Sequence, residues 1–386
     1  MGAAVARRNQ ESELPDKDSP MKRIRLAVLI LGSLLALALH TIVTSTAAPS
    51  PATAAGKDTM PQDSPPRKIV VGSLMYPMYH DYPGVEKRCQ ELAAFIDDMA
   101  KQAQEKYRTG LDIAALPENA VNGGMAGSAR DKSNPLEGPV LDILGAAARR
   151  HKTYLIVPMI WAEDAAKTKL YNIQALLDRQ GKLAGIYRKV HLVDSTDSGQ
   201  LESGCLPGKD FPVFQCDFGK VGLQICFDMW YDDGWETLAR KGAELVIWST
   251  ASPQILGAQC RAHRHHYYLL SSTWRNNVSL VDPTGTVIAQ NKAGPAGLIV
   301  EQIDLSYALL AWQPKLDNGH AFTAKYGKKA GFRYSEAEDG GIFWSNDPAI
   351  PVMRMVRELG LELPAASTER NRLLQNKVRG GPPSLD

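Results

Sequence analysis

Two separated stretches of the chain follow one pattern, and that repetition limits what it can fold into. "LLDRQGKLAG" (176–185) and "LVDPTGTVIA" (280–289) each place an Asp-x-x-Gly turn between apolar, β-favouring flanks, the pattern of a tight hairpin. Each also follows an alternation of strands and helices. Before the first, "KIVVGSL" (68–74), "LDIAALPEN" (111–119) and "TYLIVPMI" (153–160) read as short buried strands, separated by helix-favouring segments at 85–107 and 139–150. Before the second, "KVGLQICF" (220–227), "AELVIWST" (243–250) and "YYLLSST" (267–273) alternate with helical stretches at 235–242 and 256–267. Alternating strand and helix points to an α/β architecture. Two matched halves, each ending in a hairpin, fit two sheets packed face to face with helices outside.

The sequence of 386 residues is 44% hydrophobic and 22% charged, the composition of a globular protein. Its net charge of +2 and 7% aromatic content, without basic-aromatic interleaving, give no footprint for nucleic acid. The N-terminal region differs. Lys22, Arg23 and Arg25 precede an apolar run from Leu26 to Leu39, and small residues follow, with A-x-A-like sites at 45–47 and 52–54. Residues 1–47 therefore read as a polar segment plus a signal peptide, or as a single membrane anchor over 26–43. Met21 would give this leader a compact start. The expected location is exported (periplasmic or extracellular) or membrane-anchored. Residues 48–68, rich in Pro, Ser, Thr and Ala, read as a flexible linker. The folded domain spans 69–305, and 306–386 form a C-terminal extension in which only 351–359 resembles a helix.

Export permits disulfides, and the five cysteines, at 89, 205, 216, 226 and 260, leave at least one thiol free. Cys205 and Cys216 flank a Pro-Gly loop and are the candidate pair.

Three strand ends carry ionisable residues. Glu118 closes "IAALPE", Lys189 closes "AGIYRK" and Cys226 closes "GLQIC". Each has an ordinary alternative: a solvated loop glutamate, a surface lysine, a core cysteine. Their chemical complementarity at equivalent places weighs against those alternatives, because sheet rims are where active sites form. In "RAHRHHYY" (261–268), His263, His265 and His266 raise the question of a metal. Two ligands on one helix face need others elsewhere, so these histidines alone do not make a metal site. No metal or cofactor is expected.

"ALPEN", "YRKVHL" and "VGLQICFDMWYDD" resemble, in order, the three signature segments of the nitrilase superfamily, the carbon–nitrogen hydrolases. The flanks "PGKDFPVFQCDFGK" and "KGAELVIWSTASP" match as well, so the resemblance covers roughly residues 69–305. It implies a four-layer α-β-β-α sandwich, a homodimer or higher homo-oligomer, and hydrolysis of a non-peptide carbon–nitrogen bond through a cysteine thioester. Glu118 would take the Cys226 proton, and Lys189 with the backbone N–H of Phe227 would hold the oxyanion. Glu202, in "LESGCLPG", is the candidate for a second glutamate that the superfamily often carries near a Pro-Gly pair. Asn119 and Trp230 are the candidate substrate contacts. Phe227 and Asp228 follow the nucleophile as in the amidase and carbamoylase branches, so the expected substrate is a small amide or carbamoyl (ureido) compound. Nitrile hydrolysis and acyl transfer are the alternatives with the same triad, and a non-catalytic binding protein is the distant one. Family members often wrap a dimer with C-terminal extensions. Phe332, Tyr334, Phe343, Trp344, Met353 and Met355 would form a large apolar patch if exposed, so the extension is expected to bury them, across a subunit boundary.

Overall fold

Alternation along the strands sorts the side chains into separate cores. The computed structural model describes residues 63–78, 82–195, 199–294 and 296–384. In β1 (Lys68–Met75), Val70 and Leu74 point to one side and Ile69, Val71 and Met75 to the other, as a two-residue side-chain period requires. The first set packs against α1 (Val85–Tyr107), whose Cys89, Leu92, Ile96, Met99 and Ala103 recur at helical spacing and are all buried. At about 1.5–3 kcal/mol for each fully buried large aliphatic chain, this stripe holds the helix on the sheet.

β2 (Ile113–Ala115), the short α2 (Ala129–Lys132), a π-helical turn (Val140–Gly145) running into α3 (Ala146–His151), and β3 (Tyr154–Ala162) follow. The single helix expected over 139–150 is thus divided. Gly145 lies where the turn between β4 (Leu170–Leu177) and β5 (Leu183–Arg188) presses in. A Cβ on Gly181 would stand 2.0 Å from the Gly145 carbonyl oxygen. A ribbon of β6 (Asp194–Ser195) and β7 (Gln200–Leu201) leads to β8 (Val213–Gln215) and β9 (Lys220–Ile225). The second half continues with α4 (Asp233–Arg240), β10 (Leu245–Thr250), α5 (Ile255–His265), β11 (Tyr268–Thr273), the hairpin β12 (Val278–Val281) and β13 (Val287–Asn291), and β14 (Gly297–Asp304).

These strands form one twelve-stranded sheet that bends back on itself. β5-β4-β3-β2-β1, with β14 on β1, make one leaf; β8-β9-β10-β11, with β12 and β13, make the other. The leaves join where Met75 pairs with Thr273. Leu245 and Ile247 face Val71 and Ile113 in the core between the leaves, whereas Val246 and Trp248 face α4 and α5. Helix, sheet, sheet, helix is the four-layer order. The matched hairpins share one mechanism: Asp178 Oδ1 accepts from the N–H groups of Gln180 and Lys182, and Asp282 Oδ1 from those of Thr284 and Thr286. Gly181 and Gly285 sit at φ +73° and +84°, where glycine is favoured.

The extension departs from its sequence reading. It adds β15 (Tyr307–Ala311), α6 (His320–Tyr326), β16 (Ala330–Ser335), β17 (Gly340–Ser345), α7 (Val352–Glu358) and α8 (Pro364–Arg379). The strands make a separate sheet, ordered β15-β17-β16. Helix α8 has no buried residue, so no apolar stripe marks it; its helix-forming Glu, Arg, Leu, Gln and Lys carry it instead. Phe343, Met353 and Met355 are buried in a core that Leu310 and Phe322 complete, and Phe332, Tyr334 and Trp344 are half-buried. Phe343, Met353 and Met355 are thus buried within one chain. Ile342 reaches the core between the leaves, and Arg333 pairs at 3.0 Å with buried Asp282.

Cys205 and Cys216 are free thiols buried in different clusters and form no disulfide. The leader or anchor, the candidate cleavage sites, and the linker up to residue 62 lie outside the described residues. Among the described residues no helix is long and apolar enough to cross a membrane.

Candidate active site

Three strand ends converge at one edge of the sandwich. Glu118 follows β2 after Leu116 and Pro117. Its segment is pinned by Ser249, which donates from Oγ to the Leu116 carbonyl at 2.7 Å, and by Trp274, which donates from Nε1 to the Glu118 carbonyl at 2.6 Å. Gln174 Nε2 donates to Ser249 Oγ at 2.8 Å, tying β4 of one leaf to β10 of the other directly beneath. Lys189 follows β5. Its N–H donates to Asn172 O at 2.9 Å, and its own carbonyl accepts from Gly208 N at 2.8 Å. Cys226 follows β9 directly and opens a 3₁₀ turn, Cys226–Trp230. Its φ of +40° is in the left-handed region, a strained setting for a non-glycine residue that surrounding bonds must maintain. Those bonds are present. Asp228, fully buried, accepts at Oδ2 from Ile225 N (2.9 Å) and Tyr187 OH (2.7 Å), and at Oδ1 from His191 N (3.0 Å). Trp248 Nε1 donates to Cys226 O at 3.2 Å. One carboxylate thus fixes both the turn at Cys226 and the segment that follows Lys189.

The Lys189 ammonium is 1% exposed and bonds to two carboxylates, Glu118 Oε1 at 3.1 Å and Glu202 Oε1. Burial alone would lower its pKa, but the charges of Glu118 and Glu202 outweigh that and hold it above the ordinary lysine range. Asn172 Nδ2 donates to both carboxylates, Glu118 Oε1 and Glu202 Oε2, each at 3.0 Å. The Ala251 N–H donates to Glu118 Oε2 at 3.1 Å, and the Val193 N–H to Glu202 Oε1 at 3.2 Å. Burial, reinforced by the Glu118 charge and opposed by Lys189, pushes the Cys226 thiol up to about 12. The resting sulfur is therefore protonated.

A cavity of about 260 Å³ opens on this cluster, lined by Glu118, Asn119, Lys189, Glu202, Ser203 and Cys226, with Ala129, Lys132, Ile160 and Val193 completing the wall. Five of the seven residues singled out in the sequence thus share one site: Glu118, Lys189, Cys226, Glu202 and Asn119. Phe227 is next to Cys226 and half-buried. Trp230 is not on the cavity wall. The 3₁₀ turn buries Asp228 and Met229 and leaves Trp230 67% exposed. A larger cavity, about 470 Å³, lies between the α5 side and the extension and contains none of these residues. His263 and His266 there bond through Nδ1 to the Thr284 and Pro283 carbonyls.

Asn172 was not among the sequence candidates, although a signal for it exists. In "YNIQALL", Ile173, Ala175 and Leu177 face the outer core, which leaves Asn172 and Gln174 as buried polar residues on the inner face. A polar pair at that period inside an apolar strand needs partners. Replacing Asn172 with Asp exchanges a donor for a third carboxylate. The expected cost is about 3 kcal/mol or more in stability, because bonds to charged groups are worth about 1.5–3 kcal/mol each, together with at least a hundredfold loss of kcat. Urea denaturation and steady-state kinetics check this; a variant of parental stability would show that Asn172 clamps neither carboxylate.

The sequence profile of the carbon–nitrogen hydrolase family matches residues 82–310, more than half the chain. Human deaminated glutathione amidase is 31% identical over 243 residues, covering 54% of this chain and 71% of that protein. Omega-amidase NIT2-A of Xenopus laevis is 29% identical over 230 residues, covering 54% and 82%. The fold is shared with Saccharomyces cerevisiae Nit3, a branch 10 member of the nitrilase superfamily: the TM-score is 0.50 at 22% identity, over 68% of this chain and 96% of that one. A carbon–nitrogen hydrolase from Helicobacter pylori G27 gives a TM-score of 0.51 at 19% identity, over 62% and 90%. With the matching sandwich, the family profile and amidases among its relatives, the chain belongs to the carbon–nitrogen hydrolase family of the nitrilase superfamily.

Proposed function

We propose that this protein hydrolyses a small amide or carbamoyl compound through a thioester on Cys226. The observation that carries the reading is the hydrogen-bonded web of Glu118, Lys189 and Glu202 lining the same cavity as the Cys226 thiol. Glu118 takes the thiol proton as Sγ attacks the amide carbon. The new oxyanion is met by the Lys189 ammonium and the Phe227 N–H. When the intermediate collapses, the carbon–nitrogen bond breaks and Glu118 returns the proton to the departing nitrogen, releasing ammonia or an amine. Glu118 then takes a proton from water as the water oxygen attacks the thioester carbon. The Cys226 sulfur leaves with that proton and the acid is freed. Glu202 and Asn172 keep Lys189 and Glu118 in register and take no proton. The amidase relatives favour an amide over a nitrile.

The thiol itself supplies a test. An ordinary cysteine, with pKa about 8.5, reaches its full alkylation rate near pH 9–9.5. With Cys226 pushed up to about 12, its reaction with iodoacetamide should still be rising roughly tenfold per pH unit between pH 8 and 10. Mass spectrometry of the Cys226 peptide reads this directly. A plateau near pH 8.5 would mean the sulfur is solvated and the cavity is open to water.

A further inference from the structure

The cavity of about 470 Å³ falls within the range of roughly 300–1,000 Å³ typical of small-molecule sites. Two parts of the chain wall it. One is α5 with the turn between β12 and β13; the other is the β15-β17-β16 sheet with the start of α8. Pro283, Leu309, Ala311 and Pro364 supply apolar surface. The polar groups are mostly acceptors. His263 and His266 each hold a backbone carbonyl through Nδ1, Thr284 O at 3.0 Å and Pro283 O at 3.3 Å. A carbonyl only accepts, so each Nδ1 carries the hydrogen, and each neutral imidazole keeps Nε2 as an acceptor. Neither Nε2 bonds to a described residue. Glu338 and Asp339, in the turn after β16, are exposed, and their carboxylates make no hydrogen bond or salt bridge with any described residue.

Arg333 brings a guanidinium to this wall, but it is committed to the buried Asp282 carboxylate, through Nε at 3.2 Å and Nη2 at 3.0 Å. With that pair neutral, the wall keeps two uncompensated negative charges and two imidazole acceptors. The Tyr334 hydroxyl, on the same wall, is buried without a partner. Apolar surface beside unpaired acceptors and net negative charge selects an apolar body that carries a cationic N–H donor. We infer that this cavity binds a small apolar amine in its ammonium form, at a site separate from the Cys226 cavity. No residue lines both. The histidines of "RAHRHHYY" belong to no group of metal-ligating residues among the described residues, and this gives two of them a role as acceptors for a ligand. The inference does not depend on the chemistry proposed for Cys226.

The test is titration calorimetry at low ionic strength with three probes of similar shape: phenethylamine, phenethyl alcohol and phenylpropanoate. The amine should bind once per chain, about tenfold or more tighter than either of the others. That advantage should shrink at high salt, because both carboxylates are exposed. Glu338→Gln combined with Asp339→Asn should bring the amine's affinity down to that of the alcohol. Ala311→Trp, at an exposed position of β15, should fill the cavity and block binding. Equal affinities for the three probes, or an amine affinity unchanged in the Glu338→Gln, Asp339→Asn protein, overturns the inference, and so does full binding by Ala311→Trp. Light scattering reads the competing occupant, a second copy of this chain. A folded Ala311→Trp protein that drops below the parental mass would mean that another subunit sits in the cavity, and this also overturns the inference. If Ala311→Trp does not fold, the two carboxylate substitutions, both at exposed positions, decide the matter alone.

Discussion

A Cys226→Ala variant is expected to turn over no amide and to melt within about 2–4 °C of the parent. The two halves of this result have separate causes. Without the sulfur no thioester can form, and loss of a covalent nucleophile costs on the order of 10⁶ in kcat in the best-measured hydrolase. The fold loses little, because one sulfur atom at a half-buried strand end is removed and alanine takes the φ of +40° about as readily as cysteine does. A change of about 1 kcal/mol moves the melting temperature of a domain of this class by about 2–4 °C. The turn is held by Asp228 and Trp248 through backbone groups that the substitution leaves in place. Near-parental hydrolysis by purified Cys226→Ala would remove the mechanism; a collapse of its melting temperature would remove the claim that Asp228 holds the turn.

Lys189→Ala should be costly in both respects. It takes the central cation from between two carboxylates, leaving Asn172 as the one side chain among the described residues that bonds to both. Breaking a buried ion pair by removing one partner costs about 3–5 kcal/mol. The oxyanion also loses its charged donor, worth about 10²–10³ in kcat, and mispositioning of Glu118 adds to that. Lys189→Arg should not restore activity. The lysine is 1% exposed in a packed site, and a longer planar guanidinium cannot place one donor at both carboxylates and the oxyanion. Urea denaturation of the alanine variant, with kcat for both variants, checks the account. An active Arg variant would mean that Lys189 supplies charge but not position.

The sandwich was legible because its signals are local and repeated. The continuous apolar runs of β1 and β10, the helix-favouring stretch of α1 and the two Asp-x-x-Gly turns each mark an element or its end. Glu118, Lys189 and Cys226 were legible because each ends such a strand, and the family's segments mark them. Other parts were not, for physical reasons. Asn172 and Asp228 act by bonding groups distant in sequence, and a single chain does not show those partners. Glu202 sits in an irregular loop at φ +39°, where no periodicity reports direction. Trp230 was misleading because four residues after the nucleophile says nothing about which side of a 3₁₀ turn a side chain takes. The extension hid three strands and two helices; in two of the strands glycines break the apolar pattern, because Gly331 and Gly341 leave no room for a Cβ beside Trp344 and the Arg333 carbonyl. Its aromatic and methionine content pointed to burial, and Phe343, Met353 and Met355 are buried within the chain.

The central claim is that Cys226 carries the acyl group during turnover. The measurement that tests it most directly is intact-mass analysis of enzyme acid-quenched while saturated with a small amide, followed by peptide mapping. The account predicts a species heavier than the free enzyme by the acyl part of the substrate, located on Cys226 and discharged by hydroxylamine. Rapid amide hydrolysis with no adduct at any quench time, in a protein whose Cys226→Ala variant remains active, would contradict it.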